Sequence, residues 1–341
     1  MKRILFILKE KQYSLSLTSY GLINSANHIA HYLESKHYQC KIVQVVDANG
    51  IDKEVHDYNP DIVIIEALWV TAPKLSEIMS LWWYKHIKWV VRIHSDIGFL
   101  STEGWGVKLI NDYIELKRDN LIIAFNNHGF VKALSNVMEY DFTYLPNVMT
   151  VLEPEDNDSE EKSYMKIGCF GALRLLKNQC FQAVCAIMAA NKLNKKLFFH
   201  ITPNLAIQDD SVLKNLRELF KNIGHELMVH NWMPNHTFQS LIGKMDLGLQ
   251  LSYTESFNIV TADFINNNKL IIVSDAIVWM PPSMRVSTTD YEEVVDKIVH
   301  IYKHRNSNLI KSLVRRHLRE YNEGAEKVWD DFLKQHHGSK K

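Results

Sequence analysis

The most constraining feature of this sequence is that short runs of consecutive apolar residues alternate with longer amphipathic segments, and that the alternation occurs twice. Runs such as residues 4–8 and 62–66 are apolar at nearly every position, which is typical of strands buried on both faces of a parallel sheet. Between the first two runs, residues 22–36 carry apolar side chains at helical spacing. Strand, helix and strand in succession predict an α/β protein with doubly wound, parallel sheets.

The predicted strands and helices fall into two groups along the chain. Strands are predicted at 4–8, 40–46, 62–66, 89–93 and 121–124, and again at 166–170, 196–201, 226–230, 246–251 and 270–273. Helices are predicted at 22–36 and 73–85, and then near 178–191, 212–222, 236–243, 257–267, 290–304 and 307–334. At 341 residues the chain is too long for one ordinary core, so we expect two domains.

A polar, acidic stretch separates the two groups. We interpret residues 151–163 as a linker, between a first domain over residues 1–150 and a second over 164–306, with a final helix, 307–341, that crosses back to the first domain. Asp156 and Asp158 in this stretch resemble a metal-binding Asp-x-Asp pair. Because no predicted strand delivers them into a cleft, we favour a solvated linker.

Charge, cysteine content and hydropathy narrow the classes of function. The 39 Lys and Arg residues balance the 39 Asp and Glu residues, so the net charge favours neither nucleic acid nor an anionic membrane, although a local basic groove stays open. The cysteines lack the spacing of zinc ligands and are expected to be buried thiols in a reducing compartment: Cys40, Cys169, Cys180 and Cys185. No apolar run approaches the roughly 18 residues of a membrane span. We expect a cytoplasmic protein, with peripheral membrane contact left open.

In the first half, two loops follow predicted strands, where open α/β sheets bind ligands. Ser16, Thr18 and Ser19 come just before Gly21 at the start of a helix, whose free N–H groups suit an anion or a hydroxyl. His94 leaves the strand at 89–93 and suits a sugar hydroxyl or the role of a base. A capped helix and a structural histidine are the alternative interpretations.

In the second half, two more loops carry candidate residues. Gly171 opens a turn in which Arg174 and Lys177 lie three apart before a helix, an arrangement that suits a diphosphate. Glu255 and Asp263 are separated by a little over two helical turns, and carboxylates accept hydrogen bonds from neighbouring hydroxyls. The alternative is that these acids only complement a helix dipole.

These segments resemble family 4 retaining glycosyltransferases. Residues 255–263, E-S-F-N-I-V-T-A-D, resemble the Glu-x7-Glu signature, and residues 171–177 resemble the Gly-Arg-Leu-x-x-x-Lys-Gly turn. Residues 145–148, L-P-N-V, resemble the I-P-N-G-V that closes the family's first domain. The resemblance covers nearly the whole chain. It implies the GT-B architecture, in which two Rossmann-like, doubly wound parallel-sheet domains face a cleft, the first on the acceptor side and the second binding a nucleotide sugar.

The resemblance also implies roles for individual residues. Lys177 would contact the donor diphosphate, Glu255 the transferred sugar and Asp263 the ribose. Arg174 is displaced from the family's arginine, which aligns with Ala172. The remaining expected contacts are His94 beside the sugar, Gly21 and Gly171 at close backbone approaches, and the backbone N–H groups of Ser256, Phe257 and Asn258; Asn258 stands where the family commonly has Gly. No cofactor, no essential metal and no dedicated nucleophile are implied.

The sequence therefore predicts transfer of a sugar from a nucleotide-sugar donor to an acceptor hydroxyl with retention. For the acceptor we expect a glycan first, a small molecule or protein second, and a hydroxylated DNA base third. The first half is rich in tryptophan, which suits stacking on sugars or bases, although we expect most of Trp82, Trp83 and Trp89 to be core or helix-packing residues. The alternatives are a nucleotide-sugar epimerase or hydrolase of the same fold, and a non-catalytic sugar- or nucleotide-binding protein. A dehydrogenase is disfavoured because no G-x-G-x-x-G follows the first strand.

Overall fold

The computed structural model describes residues 2–10, 20–102, 104–153, 162–203, 211–231 and 233–336. The chain forms two compact units, one of Met1–Thr150 with Asn322–Lys341 and one of Val151–Tyr321. The last helix, Asn308–Gln335, begins in the second unit and ends in the first. The loop with Ser16, Thr18 and Ser19, the pair Asp156 and Asp158, and most of the expected linker lie outside the described residues.

The first unit is built on a six-stranded parallel sheet in the order β2-β1-β3-β4-β5-β6. Its strands are β1 (Arg3–Lys9), β2 (Gln39–Val45), β3 (Ile62–Glu66), β4 (Lys88–Ile93), β5 (Leu121–Phe125) and β6 (Thr143–Tyr144). Its helices are α1 (Tyr20–Ser35), α2 (Gly50–Tyr58), α3 (Ala72–Met79), α4 (Ile97–Leu100), α5 (Gly106–Glu115) and α6 (His128–Met138). The central strands β1, β3 and β4 are buried along almost their whole length, as the apolar runs predict.

The second unit is built on another six-stranded parallel sheet, in the order β12-β11-β10-β7-β8-β9. Its strands are β7 (Tyr164–Cys169), β8 (Lys196–Ile201), β9 (Glu226–Val229), β10 (Leu247–Gln250), β11 (Ile271–Ser274) and β12 (Arg285–Val286). Its helices are α7 (Gln179–Lys192), α8 (Ser211–Leu219), α9 (Asn235–Gly243), α10 (Ile259–Asn266), α11 (Tyr291–Lys303) and the first part of α12 (Asn308–Gln335).

The strand order of the second unit defines where a ligand is expected. Counted from its own first strand, the order is 3-2-1-4-5-6, the order of the nucleotide-binding Rossmann fold. The order reverses between β7 and β10, which are neighbours in the sheet. Ligands of such sheets bind at this switch point, beyond the carboxyl ends of the two strands. The loops that follow β7 and β10 are therefore the primary candidates for a site.

The α/β fold class is confirmed, and each predicted strand is present within two residues of its expected bounds. The strands that the prediction missed, β6 and β12, have two residues each and are too short to show a pattern. Helix α2 was missed because only Ile51 and Val55 are buried on it. Three further helices, α4, α5 and α6, were not predicted.

The helix prediction for residues 73–85 is wrong at its C-terminal end. The expectation that most of Trp82, Trp83 and Trp89 are core or helix-packing residues is also wrong in part. Helix α3 ends at Met79, and a short 3-10 turn, Trp82–Tyr84, follows. Tyr84 turns inward, where its hydroxyl donates to Asp52 Oδ1 over 2.8 Å and its ring meets buried Trp89. Tyr84 and Trp89 fill the core at this point, so Trp82 and Trp83 are left exposed.

Candidate active site

A glycine turn at the switch point carries the first predicted group of the second unit. Gly171 follows β7 with a φ of +109°, a backbone conformation that residues other than glycine rarely adopt. Its N–H donates to Thr202 Oγ1, just beyond β8, over 3.0 Å. A 3-10 turn, Leu175–Lys177, follows and ends at Lys177. The turn therefore delivers Lys177 to the carboxyl end of the sheet.

Lys177 and Glu255 form an ion pair, which joins the loops after β7 and β10. The ammonium donates to Glu255 Oε1, and both side chains are largely withdrawn from solvent. Ser252 Oγ and Asn258 Nδ2 donate to the same oxygen over 2.7 and 2.9 Å. Three donors thus hold one carboxylate oxygen, and among the described residues none donates to Oε2 of this carboxylate. Glu255 is fixed in orientation with one oxygen left for a ligand.

Asn258 is the link between Glu255 and helix α10. It has a φ of +67°, a left-handed conformation in which Asn and Gly are favoured. Its side-chain oxygen accepts from the Thr261 N–H over 2.9 Å and caps α10, while its amide also donates to Gln250 Oε1 over 2.8 Å. An asparagine at the family's glycine position therefore keeps the backbone shape and adds contacts to Glu255.

Asp263 is buried in α10 and is held by helix α9. Gln239 Nε2 donates to Asp263 Oδ1 over 2.8 Å, and Gln239 Oε1 accepts from Asn267. Burial raises the pKa of Asp263 to about 7, although the hydrogen bond from Gln239 opposes this shift. Near neutral pH the carboxyl is divided between its acid form and its carboxylate, so its ability to accept hydrogen bonds from hydroxyls depends on pH.

Three other predicted donor-site residues neighbour the ion pair along the chain. Arg174 is exposed and precedes the 3-10 turn, with no described contact to Glu255. The Phe257 side chain is buried against Trp279 and Tyr321, so only its backbone belongs to the loop. Ser256 is half-buried between Glu255 and Phe257.

In the first unit, His94 belongs to a buried polar network at the carboxyl end of the sheet. His94 Nε2 is hydrogen-bonded to Glu66 Oε2, and its Nδ1 faces Asn126 Nδ2 at 3.3 Å. Burial lowers the pKa of His94, and neighbouring Arg92 adds to this effect, while Glu66 opposes it. Burial raises the pKa of Glu66, but Arg92 and His94 outweigh it and hold the pKa below its usual value. The network therefore assigns a neutral ring with the proton on Nε2 and Nδ1 as the acceptor.

Arg92 is the centre of this network and is fully buried. Its guanidinium contacts Glu66 Oε2 at 3.1 Å and donates to Leu145 O at 3.0 Å and to Asn147 Oδ1 at 2.5 Å. Ser25 Oγ, on α1, donates to the same Asn147 oxygen over 3.2 Å. Asn147, from the segment that resembles I-P-N-G-V, thus joins Arg92 of β4, Ser25 of α1 and Asn126 just after β5.

Gly21 lies in the first turn of α1 and is exposed. A Cβ atom at this position would meet nothing within 4 Å, and the backbone is not in the left-handed region. The unit itself therefore does not require glycine here. Its expected close approach to a donor stays a prediction.

Sequence reasoning missed several residues of the site. Gln239 and Thr202 carry no motif, and each lies next to a predicted residue only because two strands or helices are neighbours in the fold. Ser252 lies three positions before Glu255 in the same loop. A histidine pair was also missed: His200, at the end of β8, and His230, just after β9, are joined through Nδ1 and Nε2 at 2.8 Å. Burial lowers the pKa of His200 to about 3, so this ring is neutral.

Neither a metal-binding cluster nor a membrane-spanning helix occurs among the described residues. In the part of the chain that the structure describes, no group of three or more His, Cys, Asp and Glu side chains is arranged to hold a metal ion. Across the same residues, no helix is both long enough and apolar enough to cross a membrane.

No protein-family model matches this sequence, and no curated protein is significantly similar to it. Solved structures, in contrast, share its fold. The catalytic domain of starch synthase IV from Arabidopsis thaliana, bound to ADP and acarbose, has a TM-score of 0.69 at 10% identity, with 99% of this chain and 100% of that chain covered. HepE from Anabaena, in complex with UDP and glucose, has a TM-score of 0.67 at 12% identity, with 98% and 100% covered.

TarM from S. aureus, in complex with fondaparinux, α-GlcNAc-glycerol and UDP, is similar with a TM-score of 0.59 at 11% identity. The alignment covers 81% of this chain and 55% of TarM, so this chain spans about half the length of that protein. Together these likenesses show that the chain has the two-domain α/β fold of these proteins, the GT-B fold that the sequence predicts.

Proposed function

We propose that this chain is a glycosyltransferase that uses a nucleotide-sugar donor and retains the configuration of the transferred sugar. The observation that carries the proposal is the Lys177–Glu255 ion pair at the switch point between β7 and β10. A cation for a diphosphate and a carboxylate for sugar hydroxyls are already in contact where a Rossmann-like sheet binds its ligand. The UDP and ADP in the similar structures support a nucleotide ligand for this fold.

In the proposed reaction each group has a defined part. The bond from the anomeric carbon to the diphosphate breaks, and a bond from the acceptor oxygen forms on the same face. The acceptor proton passes to an oxygen of the departing diphosphate, whose charge Lys177 stabilises. Glu255 accepts hydrogen bonds from the sugar through Oε2, and Asp263 accepts them from the ribose. These residues require no metal for charge neutralisation, and the expected place of His94 beside the sugar stays a prediction.

For the acceptor we propose a glycan, on the basis of exposed residues in the first unit. In the first unit the loop after β4, which carries His94, also carries exposed Ile97 and Trp105. Indole rings stack on the apolar faces of sugars. A small molecule, a protein or a hydroxylated DNA base are the remaining acceptor classes.

A thermal-shift panel of UDP-sugars, ADP-sugars and the free diphosphates tests this proposal, because a specific ligand raises the melting temperature by mass action. We expect one nucleotide sugar to raise it clearly. The shift should shrink in Lys177→Ala and persist in Lys192→Ala, which removes an exposed lysine of the same unit that pairs with Asp296. If no donor shifts the wild type, or if both variants lose the shift alike, the donor site is wrong. A product of inverted configuration would refute retention.

A further inference from the structure

Three aromatic rings of the second unit pack together next to the loop that carries Glu255. The ring of Phe257 stacks on Trp279 and on Tyr321, with centroids 5.4 and 4.9 Å away and interplanar angles of 24° and 28°. Trp279 and Tyr321 also meet, with centroids 5.8 Å apart. Trp279 follows β11 and Tyr321 belongs to α12. The loop after β10 is therefore packed against two other elements of its unit.

Trp279 also holds the main chain of this loop. Its indole N–H donates to Phe257 O over 2.7 Å in a buried hydrogen bond. The segment around Trp279 is itself fixed from β12, because the guanidinium of Arg285 donates to the carbonyls on either side of it. These acceptors are Val278 O and Met280 O, the second at 2.7 Å. Trp279 is therefore a fixed donor that orients the carbonyl of Phe257.

The orientation of this carbonyl sets the direction of the next N–H. In a trans peptide the C=O and the following N–H point in opposite directions, so the Asn258 N–H points away from Trp279. In the sheet, β10 lies between β11, which Trp279 follows, and β7, which Lys177 follows. The Asn258 N–H therefore points toward the side of the switch point. Among the described residues, no acceptor meets it.

We propose that Trp279 is a positioning residue that aims the Asn258 N–H at the sugar of a bound nucleotide sugar. The inference rests on the proposed function and adds to it a residue that lies outside the motifs. Glu255 offers the sugar an acceptor through Oε2, and the Asn258 N–H offers it a donor three positions along the chain. Because Trp279 holds this N–H in the unliganded chain, no reorganisation is needed when the ligand binds. The diphosphate is assigned to Lys177, so Trp279 should act on the sugar alone.

Calorimetric titration of Trp279→Phe tests the inference, with UDP-glucose and UDP as one pair of ligands and ADP-glucose and ADP as the other. Phenylalanine keeps an aromatic ring for the stack but has no N–H for the carbonyl. We expect affinity for the nucleotide sugar to fall about threefold to tenfold, the range of one neutral hydrogen bond. Affinity for the matching free diphosphate should stay the same. A merely structural role would weaken both ligands alike.

Hydrogen exchange measures the loop directly and needs no donor. Without the indole N–H the carbonyl of Phe257 loses its partner, so the amides of residues 252–258 should exchange about fivefold faster in Trp279→Phe than in the wild type. Phe220→Leu is the matched control, because Phe220 stacks on Phe199 in the same unit, with centroids 5.8 Å apart, and follows α8. It should lower the melting temperature without changing exchange in residues 252–258 or the ratio of the two affinities.

Two results would overturn the inference while the proposed function is unaffected, because the wild type binds its ligands in both. One is unchanged exchange of residues 252–258 in Trp279→Phe. The other is an equal loss of affinity for the nucleotide sugar and for its diphosphate. A wild-type chain that binds none of the four ligands would instead refute the proposed function and, with it, this role of Trp279. In that case hydrogen exchange would still show whether Trp279 holds the loop.

Discussion

The amide of Asn258 donates to Glu255 Oε1 over 2.9 Å from a backbone position in the left-handed region. The glycosyltransferase family that the sequence resembles commonly has glycine at this position, which permits the same backbone but offers no side chain. In this chain the residue before α10 therefore serves two purposes: it caps the helix through Thr261 and it orients the carboxylate that we assign to the sugar. This makes Asn258 a positioning residue for the proposed reaction.

Asn258→Gly should preserve the fold and slow transfer. The left-handed backbone suits glycine, so we expect little rearrangement. Loss of a hydrogen bond to a charged group corresponds to about 1.5–3 kcal/mol, or a decrease in kcat of roughly tenfold to a hundredfold. The Michaelis constant for the donor should change less than kcat, because Lys177 is untouched. Steady-state kinetics measures both.

The matched control for this variant is Asn194→Gly. Asn194 also has a positive φ, of 52°, but it is exposed in the loop between α7 and β8. Its kcat should equal that of the wild type. A similar decrease in both variants would mean that Asn258 acts through general stability and not through Glu255.

The pKa of Asp263 predicts a pH dependence of stability. Burial raises this pKa from 3.8 to about 7, so between these pH values the folded chain holds a proton that the unfolded chain has released. The stabilisation is complete below pH 3.8 and is lost as the pH rises through 7. Asp263→Asn, which cannot ionise, should therefore melt above the wild type at pH 8, with a smaller difference at pH 5. Thermal unfolding across this range measures it, and a difference that does not grow with pH contradicts the assignment.

The pKa of Asp263 also predicts how the affinity for the donor changes with pH, in the direction opposite to the change in stability. An ionised carboxylate accepts hydrogen bonds from both ribose hydroxyls, whereas the acid form loses an acceptor site. Affinity for a nucleotide sugar should increase as the pH rises through about 7 in the wild type and stay flat in Asp263→Asn. A nucleotide sugar is the appropriate probe, because the terminal phosphate of a free diphosphate titrates near pH 6 itself. Equal slopes in the two proteins would remove Asp263 from the ribose site.

The buried network of the first unit predicts a large effect on stability. Arg92→Ala leaves Glu66 fully buried without its cation, and breaking a buried pair in this way costs about 3–5 kcal/mol. Lys108→Ala, in an exposed pair with Asp112 on α5, should cost less than about 1 kcal/mol. Urea unfolding at one temperature compares the two variants. Equal losses would mean that the ion pair of Arg92 and Glu66 is not a structural centre of this unit.

Continuous apolar runs made the sheets predictable, because the central strands are buried on both faces and their pattern does not depend on their neighbours. The end of the helix at 73–85 was not predictable, since it depends on Tyr84 turning inward against Trp89. The candidate site divides in the same way. Lys177 and Glu255 follow from local motifs, but their contact arises because β7 and β10 are adjacent although 77 positions separate Cys169 from Asp246. The partner Gln239 follows from the packing of α9 against α10 alone.

The central claim is that Lys177, for the diphosphate, and Glu255, for the sugar, belong to one donor site, and calorimetric titration with UDP and ADP tests it most directly. In the unliganded chain Glu255 neutralises Lys177. Glu255→Gln should therefore bind the preferred diphosphate up to about tenfold more tightly while transfer is nearly abolished. Lys177→Ala should bind it about tenfold to a hundredfold more weakly. Opposite changes in affinity support the account; no change in either variant, or a change in the same direction in both, would contradict it.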